Sequence, residues 1–300
     1  MLKVFRVWGE DGMRAVLIGA ALCALQACAH VTPAHQAHEP ASDATPPSPA
    51  EPSPERRDYT ATLADGETVK IDNPYGDVRL RFGGYAHALE INAVVQQPAA
   101  AAPIEMEALK VKEYYVFSPR LPAGTALADA QRVDLVAFIP LGHPVIVRTE
   151  SGLIESRGLR GDIDLSTVTG NIAIRGTQGS VQASAGIGSI EASFDTAPPG
   201  SRQRLETITG NIVLAVDDHL DAELVLASSG VFATEFSLDV EPLAGQEPNK
   251  RARAVVGADD KKARIDLSSR RGEIRLLRRS AFTSPSGKPV EQEQEDNDSD

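Results

Sequence analysis

Runs that alternate large apolar residues with small or polar ones, such as Val69-Lys70-Ile71, Ile163-Asp164-Leu165 and Ile172-Ala173-Ile174, recur along most of this chain. A period of two puts every second side chain on one face of a strand, so that face can enter an apolar interior while the other meets solvent. No stretch carries a sustained helical period with caps. From Gly152 onward the pattern becomes regular. Gly152, Gly161, Gly170, Gly179 and Gly188 lie nine residues apart, and each is followed two positions later by Ile154, Ile163, Ile172, Val181 or Ile190. Nine residues are too few for a helical repeat and fit a strand of about five residues plus a tight turn.

The turns fall into two classes. Thr149-Glu-Ser-Gly152, Thr167-Val-Thr-Gly170, Ala185-Gly-Ile-Gly188 and Thr207-Ile-Thr-Gly210 form one, and Arg157-Gly-Leu-Arg-Gly161 and Arg175-Gly-Thr-Gln-Gly179 the other. The unit is therefore twice the glycine spacing, eighteen residues with two strands and two turns. Unit 149–166 runs directly into 167–184, and longer versions of twenty-two residues begin at Ala185 and Thr207, their extra residues in polar or Pro/Gly stretches where stacked coils tolerate insertions. Ile265 to Leu276 reprises Ile163 to Ile174 after an interruption from about Asp239 to Arg264. The fold expected is all-β, a β-helix-like solenoid of stacked two-strand coils, each of eighteen to twenty-two residues, with aliphatic ladders inside and glycines at corners that exclude a Cβ. An antiparallel meander of nine-residue units has the same period and remains an alternative. Upstream, Val69 to Phe82, with its turn at Asn73-Pro74, and Ala88 to Val95 read as the first coils; residues 104–118, 131–139 and 145–148 continue as strands into the repeat.

Composition divides the chain into a lipoprotein-type signal peptide (1–28), a disordered Pro/Ala-rich tether (29–57), a β-solenoid domain (58–279) and a disordered acidic tail (280–300). Ala15 to Ala27 is an uncharged stretch, too short to span a bilayer comfortably, with Arg14 before it. Glu10 and Asp11 are awkward in the positive region of a leader, which points to Met13 as the natural start. Leu25-Gln-Ala-Cys28 resembles the lipobox of bacterial lipoproteins, in which the cysteine is acylated, and Ala29 after it is similar to lipoproteins sent to the outer membrane. Two or more acyl chains suffice for stable anchoring. Cys23 and Cys28 are the only cysteines, so the processed chain has no thiol or disulfide chemistry. The tether cannot bury enough apolar surface to order itself, and His30, His35 and His38 within it read as polar spacer residues rather than metal ligands. Glu291 to Asp300 is a self-repelling acidic run. The net charge of −12 argues against nucleic acid or an anionic membrane surface as a partner, leaving the lipid anchor as the expected membrane contact.

Asn73-Pro-Tyr-Gly-Asp-Val-Arg-Leu80 and the series Ser-Gly-Leu-Ile154, Gly-Asp-Ile-Asp-Leu165, Thr-Gly-Asn-Ile-Ala-Ile174 and Gly-Ser-Ile-Glu-Ala192 carry a resemblance to the bacterial envelope family described as β-strand-repeat putative adhesins. The resemblance covers about Tyr59 to Arg278 and implies a right-handed β-solenoid-like fold without an established enzymatic activity. The lipobox-like leader and the acidic tail depart from that family.

Sharper chemistry finds little support in the residues. The calcium-binding nonapeptide repeat needs stacked Gly-Gly-x-Gly-x-Asp turns, and the turns here read Arg-Gly-Asp-Ile, Thr-Gly-Asn-Ile and Gln-Gly-Ser-Val. Arg160-Gly-Asp162 contains the repeat glycine and is read as a coincidence with the integrin tripeptide. His87, His143 and His219 have no triad motif beside them. Asp162, Asp164 and Glu191 are the carboxylates a β-helix polysaccharide-processing enzyme would use, but such an enzyme also needs aromatic platforms, and Thr149 to Ser193 has no aromatic residue. The expectation is a non-enzymatic envelope lipoprotein, without cofactor or metal, that binds an envelope protein or glycan. Its candidate binding face is Asp162, Asp164, Asn171, Gln182 and Glu191. A periplasmic structural scaffold is the alternative, with the sugar-processing enzyme behind it.

Overall fold

A computed structural model describes residues 54–279, except 86, 195, 199, 218, 219 and 258–262. The leader, Cys28, the three tether histidines, His219 and the acidic tail lie outside the described residues.

The chain opens with β1 (Glu55–Thr62), β2 (Thr68–Asp72), β3 (Val78–Phe82) and β4 (Ala88–Gln96), then the hairpin of β5 (Glu105–Val111) and β6 (Tyr114–Arg120), and β7 (Arg132–Ile139). The repeat supplies β8 (Val145–Ser151), β9 (Ile154–Arg157), β10 (Ile163–Thr169), β11 (Ile172–Arg175), β12 (Val181–Ile187), β13 (Ile190–Phe194), β14 (Arg202–Thr209) and β15 (Ile212–Val216). After it come β16 (Ala222–Ser228), β17 (Phe232–Thr234), β18 (Asp239–Pro242), β19 (Lys250–Val256), β20 (Ala263–Arg271) and β21 (Ile274–Arg278). No α-helix occurs among the described residues, and none is long and apolar enough to cross a membrane.

Two large mixed sheets result, neither closed into a barrel. One has ten strands in the order β1-β4-β7-β3-β9-β11-β13-β15-β21-β17, the other eleven in the order β18-β19-β16-β20-β14-β12-β10-β8-β2-β6-β5. Within the repeat, successive strands alternate between the sheets and each pairs in parallel with the strand one unit away, Ile163 opposite Val181 and Ile172 opposite Ile190. Parallel partners a full unit apart exclude the meander. The sheets enclose one apolar core. Val147, Leu165, Leu205 and Leu267 enter it from the eleven-stranded sheet, and Ile154, Ile172, Ile190, Ile212 and Ile274 from the ten-stranded one, none more than 1% exposed. Full burial of each such side chain contributes roughly 1.5–3 kcal/mol, so these ladders hold the two layers together.

Order in the sheets departs from order in the chain. β4 was expected to lie in a first coil, yet it reverses at Gly84 and His87, both at positive φ, and pairs antiparallel with β1 and β7. The tight turn sends the chain back along its own sheet instead of across to the other. β1 begins at Glu55, inside the segment expected as tether, because its backbone pairs with β4 from Glu55 opposite Val95 onward, and Arg57 donates to the Ile104 carbonyl at 3.0 Å. At the other end, the reprised segment forms β20 and β21. These insert between β14 and β16 and between β15 and β17, with Leu205 opposite Leu267 and Ile212 opposite Ile274. The expected interruption is occupied by β18 and β19, which extend the sheet edge, β19 pairing antiparallel with β16 and β18 antiparallel with β19.

The repeat glycines stack at the corners. A Cβ on Gly170 would lie 2.0 Å from the Gly152 carbonyl oxygen, and one on Gly188 would lie 1.8 Å from that of Gly170. Side chains close the same corners: the Asn171 Oδ1 accepts from the Ser189 N–H at 2.8 Å, and the Thr207 hydroxyl donates to the Gly188 carbonyl at 2.9 Å.

Candidate binding face

The five residues singled out in the sequence do not form one surface. Asp164 on β10 and Gln182 on β12 are register partners on the outer face of the eleven-stranded sheet. Asp162 sits in the turn entering β10, where its Oδ1 accepts from the Ser180 N–H at 2.8 Å, and Asn171 makes the equivalent bond at the other corner. Both are bonded to backbone, so part of their acceptor capacity maintains the stack. Glu191 lies on β13, in the other sheet, opposite Ala173 and Val213. The three carboxylates offered for a sugar-processing site are therefore divided between two layers.

Asp164 and Gln182 begin a row that crosses the eleven-stranded sheet: Asp164, Gln182, Arg204, Asp266, Val225, Arg253 and Asp239 are successive register partners. The next outward row runs Ser166, Ser184, Glu206, Ser268, Ala227, Arg251 and Glu241. Strand alternation explains both rows: on β10, β12, β14, β16 and β20 each outward residue stands between buried neighbours on its own strand. Two concavities open on this face. One, of about 410 Å³, is lined by Tyr114, Asp162, Asp164, Gln182, Arg202 and Arg204 among others. Its neighbour, of about 480 Å³, shares Arg202 and Arg204 and adds Arg251, Arg253 and Arg264 together with Glu206, Glu223 and Asp266. Ion pairs tie much of the charge in place: Arg204 to Glu206 at 2.7 Å and Arg264 to Asp266 at 2.9 Å, with Arg202 4.0 Å from Asp266. Arg251 and Arg253 form no ion pair among the described residues, although Glu241 and Asp239 stand opposite them on β18. The surface offers forked donors, carboxylate acceptors and small hydroxyls over several strands, which suits hydrogen bonding to an extended partner.

The histidines are closer together than the sequence implied. His143, 3% exposed, places Nδ1 2.8 Å from the Glu67 carbonyl oxygen, so that nitrogen carries the proton. The His87 ring stands edge-on to it at 5.8 Å, with its Nδ1 3.4 Å from Asp65. Beside them the Glu67 Oε2 accepts from the Ala64 N–H at 2.7 Å and from Lys110 at 2.9 Å. Burial pushes the Glu67 carboxyl up, but the Ala64 N–H and the Lys110 ammonium outweigh it and hold the group below its ordinary value. This cluster secures the corner between β2 and β8. Among the described residues no group of three or more His, Cys, Asp and Glu could hold a metal ion. Sequence reading missed the arginines of β14, β19 and β20; the alternation Arg202-Gln203-Arg204 was the available signal, but nothing local marks β20 as the neighbour of β14.

No family profile and no curated protein sequence matches the chain. Among solved structures it is similar to a putative cell adhesion protein from Clostridium sporogenes, with 10% identity and a TM-score of 0.47 over 75% of this chain and 100% of that one. It is also similar to a putative adhesin from Bacteroides fragilis, with 12% identity and a TM-score of 0.38 over 75% and 99%, and to one from Parabacteroides distasonis, with 10% identity and a TM-score of 0.24 over 74% and 97%.

Proposed function

We propose that the chain is a non-enzymatic cell-envelope lipoprotein, anchored through acylated Cys28, that presents the outer face of the eleven-stranded sheet to a macromolecular partner, an envelope protein or glycan. In this reading the parallel strands, each offset from the next by one repeat unit, wind as a flattened β-solenoid, so that outward positions recur along its axis. The observation that supports it most is the pair of adjoining concavities that share Arg202 and Arg204 on a face of alternating arginine, carboxylate and small polar side chains. A polymer lying along the rows would exchange its water for these fixed donors and acceptors with little rearrangement of strand-held side chains.

Surface-immobilised full chain, exposed to isolated cell-wall glycan and to outer-membrane fragments, tests the proposal. R202Q/R204Q should weaken binding by roughly tenfold, about 1.4 kcal/mol, while changing the melting temperature little, since the ion pairs lost are exposed. Equal binding by the variant would remove this face from the account, and no binding by the unaltered chain to either material would remove the adhesive role.

A further inference from the structure

The outer face of the ten-stranded sheet carries a different feature. Arg81 on β3, Arg157 on β9 and Arg175 on β11 occupy one register row, Arg81 opposite Arg157 and Arg157 opposite Arg175. Three guanidiniums thus leave neighbouring strands whose backbones are about 4.8 Å apart. Like charges side by side are destabilising unless an anion lies among them. Glu155, 8% exposed, supplies one: its Oε2 accepts from Arg81 at 3.0 Å and lies 3.8 Å from Arg79, while its Oε1 pairs with Arg157. Burial pushes the Glu155 carboxyl up, but Arg81 and Arg157 outweigh that and keep it below its ordinary value. One carboxylate does not balance the row. Arg175 forms no ion pair among the described residues, and Arg160 adds a further cation, its guanidinium 4.9 Å from the centroid of the Phe82 ring. The row itself continues to Phe138 on β7 and Ser193 on β13, both uncharged; Glu191, diagonal to Arg175 in the adjacent outward row, forms no ion pair with it.

The chain carries a segment of opposite charge within reach. Glu291 to Asp300 holds six carboxylates in ten residues. The last strand, β21, belongs to the same sheet, and its Leu277 continues the arginine row through Ser193 and Ala215. Leu277 is three strands from Arg175, about 14 Å at 4.8 Å per strand. The eleven residues 280–290 that separate Arg279 from Glu291 span up to about 36 Å when extended, more than twice that distance. Planar guanidinium forks match carboxylates two bonds at a time.

We propose that the row of Arg81, Arg157 and Arg175 is a docking surface for the chain's own acidic segment Glu291–Asp300. Docked there, the segment supplies the carboxylates that Glu155 alone does not, and it occupies the row against polyanions from outside. This device is independent of the face on the eleven-stranded sheet and is tested separately.

The measurement is fluorescence anisotropy of a labelled peptide with the sequence of Glu291–Asp300, added to the unaltered full chain and to a full-length variant with the six carboxylates made amides (E291Q, E293Q, E295Q, D296N, D298N, D300N). A flexibly tethered segment has an effective concentration on the order of 1 mM, so a peptide that binds the amide variant with a Kd of about 0.1 mM binds the unaltered chain about tenfold more weakly. Raising the salt weakens both. Adding R157Q and R175Q to the amide variant abolishes binding. If that variant melts early, R175A takes its place, since Arg175 holds no ion pair whose loss would unsettle the sheet. Equal binding to unaltered and amide chains, binding that survives the arginine substitutions, or no binding to the amide variant overturns the proposal. So does a polygalacturonate probe that binds the unaltered chain as tightly as the amide variant, which would make an external polyanion the occupant.

Discussion

Gly188 shows how closely the corners are packed. An added Cβ would lie 1.8 Å from the Gly170 carbonyl oxygen and 2.6 Å from its carbon, both backbone atoms that cannot yield without shifting the neighbouring repeat unit. Gly188→Ala should therefore cost about 3 kcal/mol or more in urea unfolding, whereas Gly124→Ala, with open space around its Cβ and a φ of +81°, should cost about 1–2 kcal/mol. Equal losses would contradict the stacked corner. The nine-residue glycine spacing was legible in the sequence because each corner imposes the same backbone contact. The use of Asp162 and Asn171 as acceptors for the next repeat unit was not, since it depends on which strand lies alongside. Glu67 gives a pH signature. Its depressed folded-state pKa means that its contribution is fully present above the unfolded value of about 4.3 and is lost as the pH falls through the folded value. Melting curves from pH 7 to pH 3 should fall steeply below about pH 4 for the unaltered chain. E67Q should start lower at pH 7 and fall less, and parallel curves would show that Glu67 carries no such linkage.

At the scale of the strands, alternation identified which side chains face inward. Ile172, 1% exposed between the register partners Ile154 and Ile190, is the clearest case. Ile172→Asp would bury a carboxylate without a partner, at a cost of several kcal/mol against a typical total stability of about 5–15 kcal/mol, so its thermal transition should be lost or sharply lowered. A melting temperature equal to that of the unaltered chain would place Ile172 outside the core. Strand identity and the one-unit offset could be read locally, because both follow from a repeated unit. Strand order could not: β20 lies beside β14, and β3 beside β9, through pairings between distant parts of the chain, as with Gln203 opposite Ile265 and Val78 opposite Ile154. The same limit hid the arginine row. Arg157 and Arg175 share a turn class in the sequence, but Arg81 joins them only because β3 pairs with β9.

For the whole molecule, the candidate face divides between legible and hidden parts in the same way. Asp164 and Gln182 are one unit apart and were found together, while Arg204, Asp266 and Arg253 extend their row from strands that the chain reaches only after insertions and an antiparallel detour. The resulting surface lies on a framework of two sheets held by one core, so its geometry is set by backbone pairing rather than by loops. In the proposed role, a long, polar, strand-held face tethered through an acylated Cys28 is useful for adhesion only when it is displayed outside the cell. Protease shaving of intact cells compared with lysed cells, with detection of the segment from Tyr59 to Arg279, tests that requirement directly. Cleavage on intact cells is the result this account predicts; protection until lysis would contradict the adhesive role and leave a periplasmic scaffold in its place.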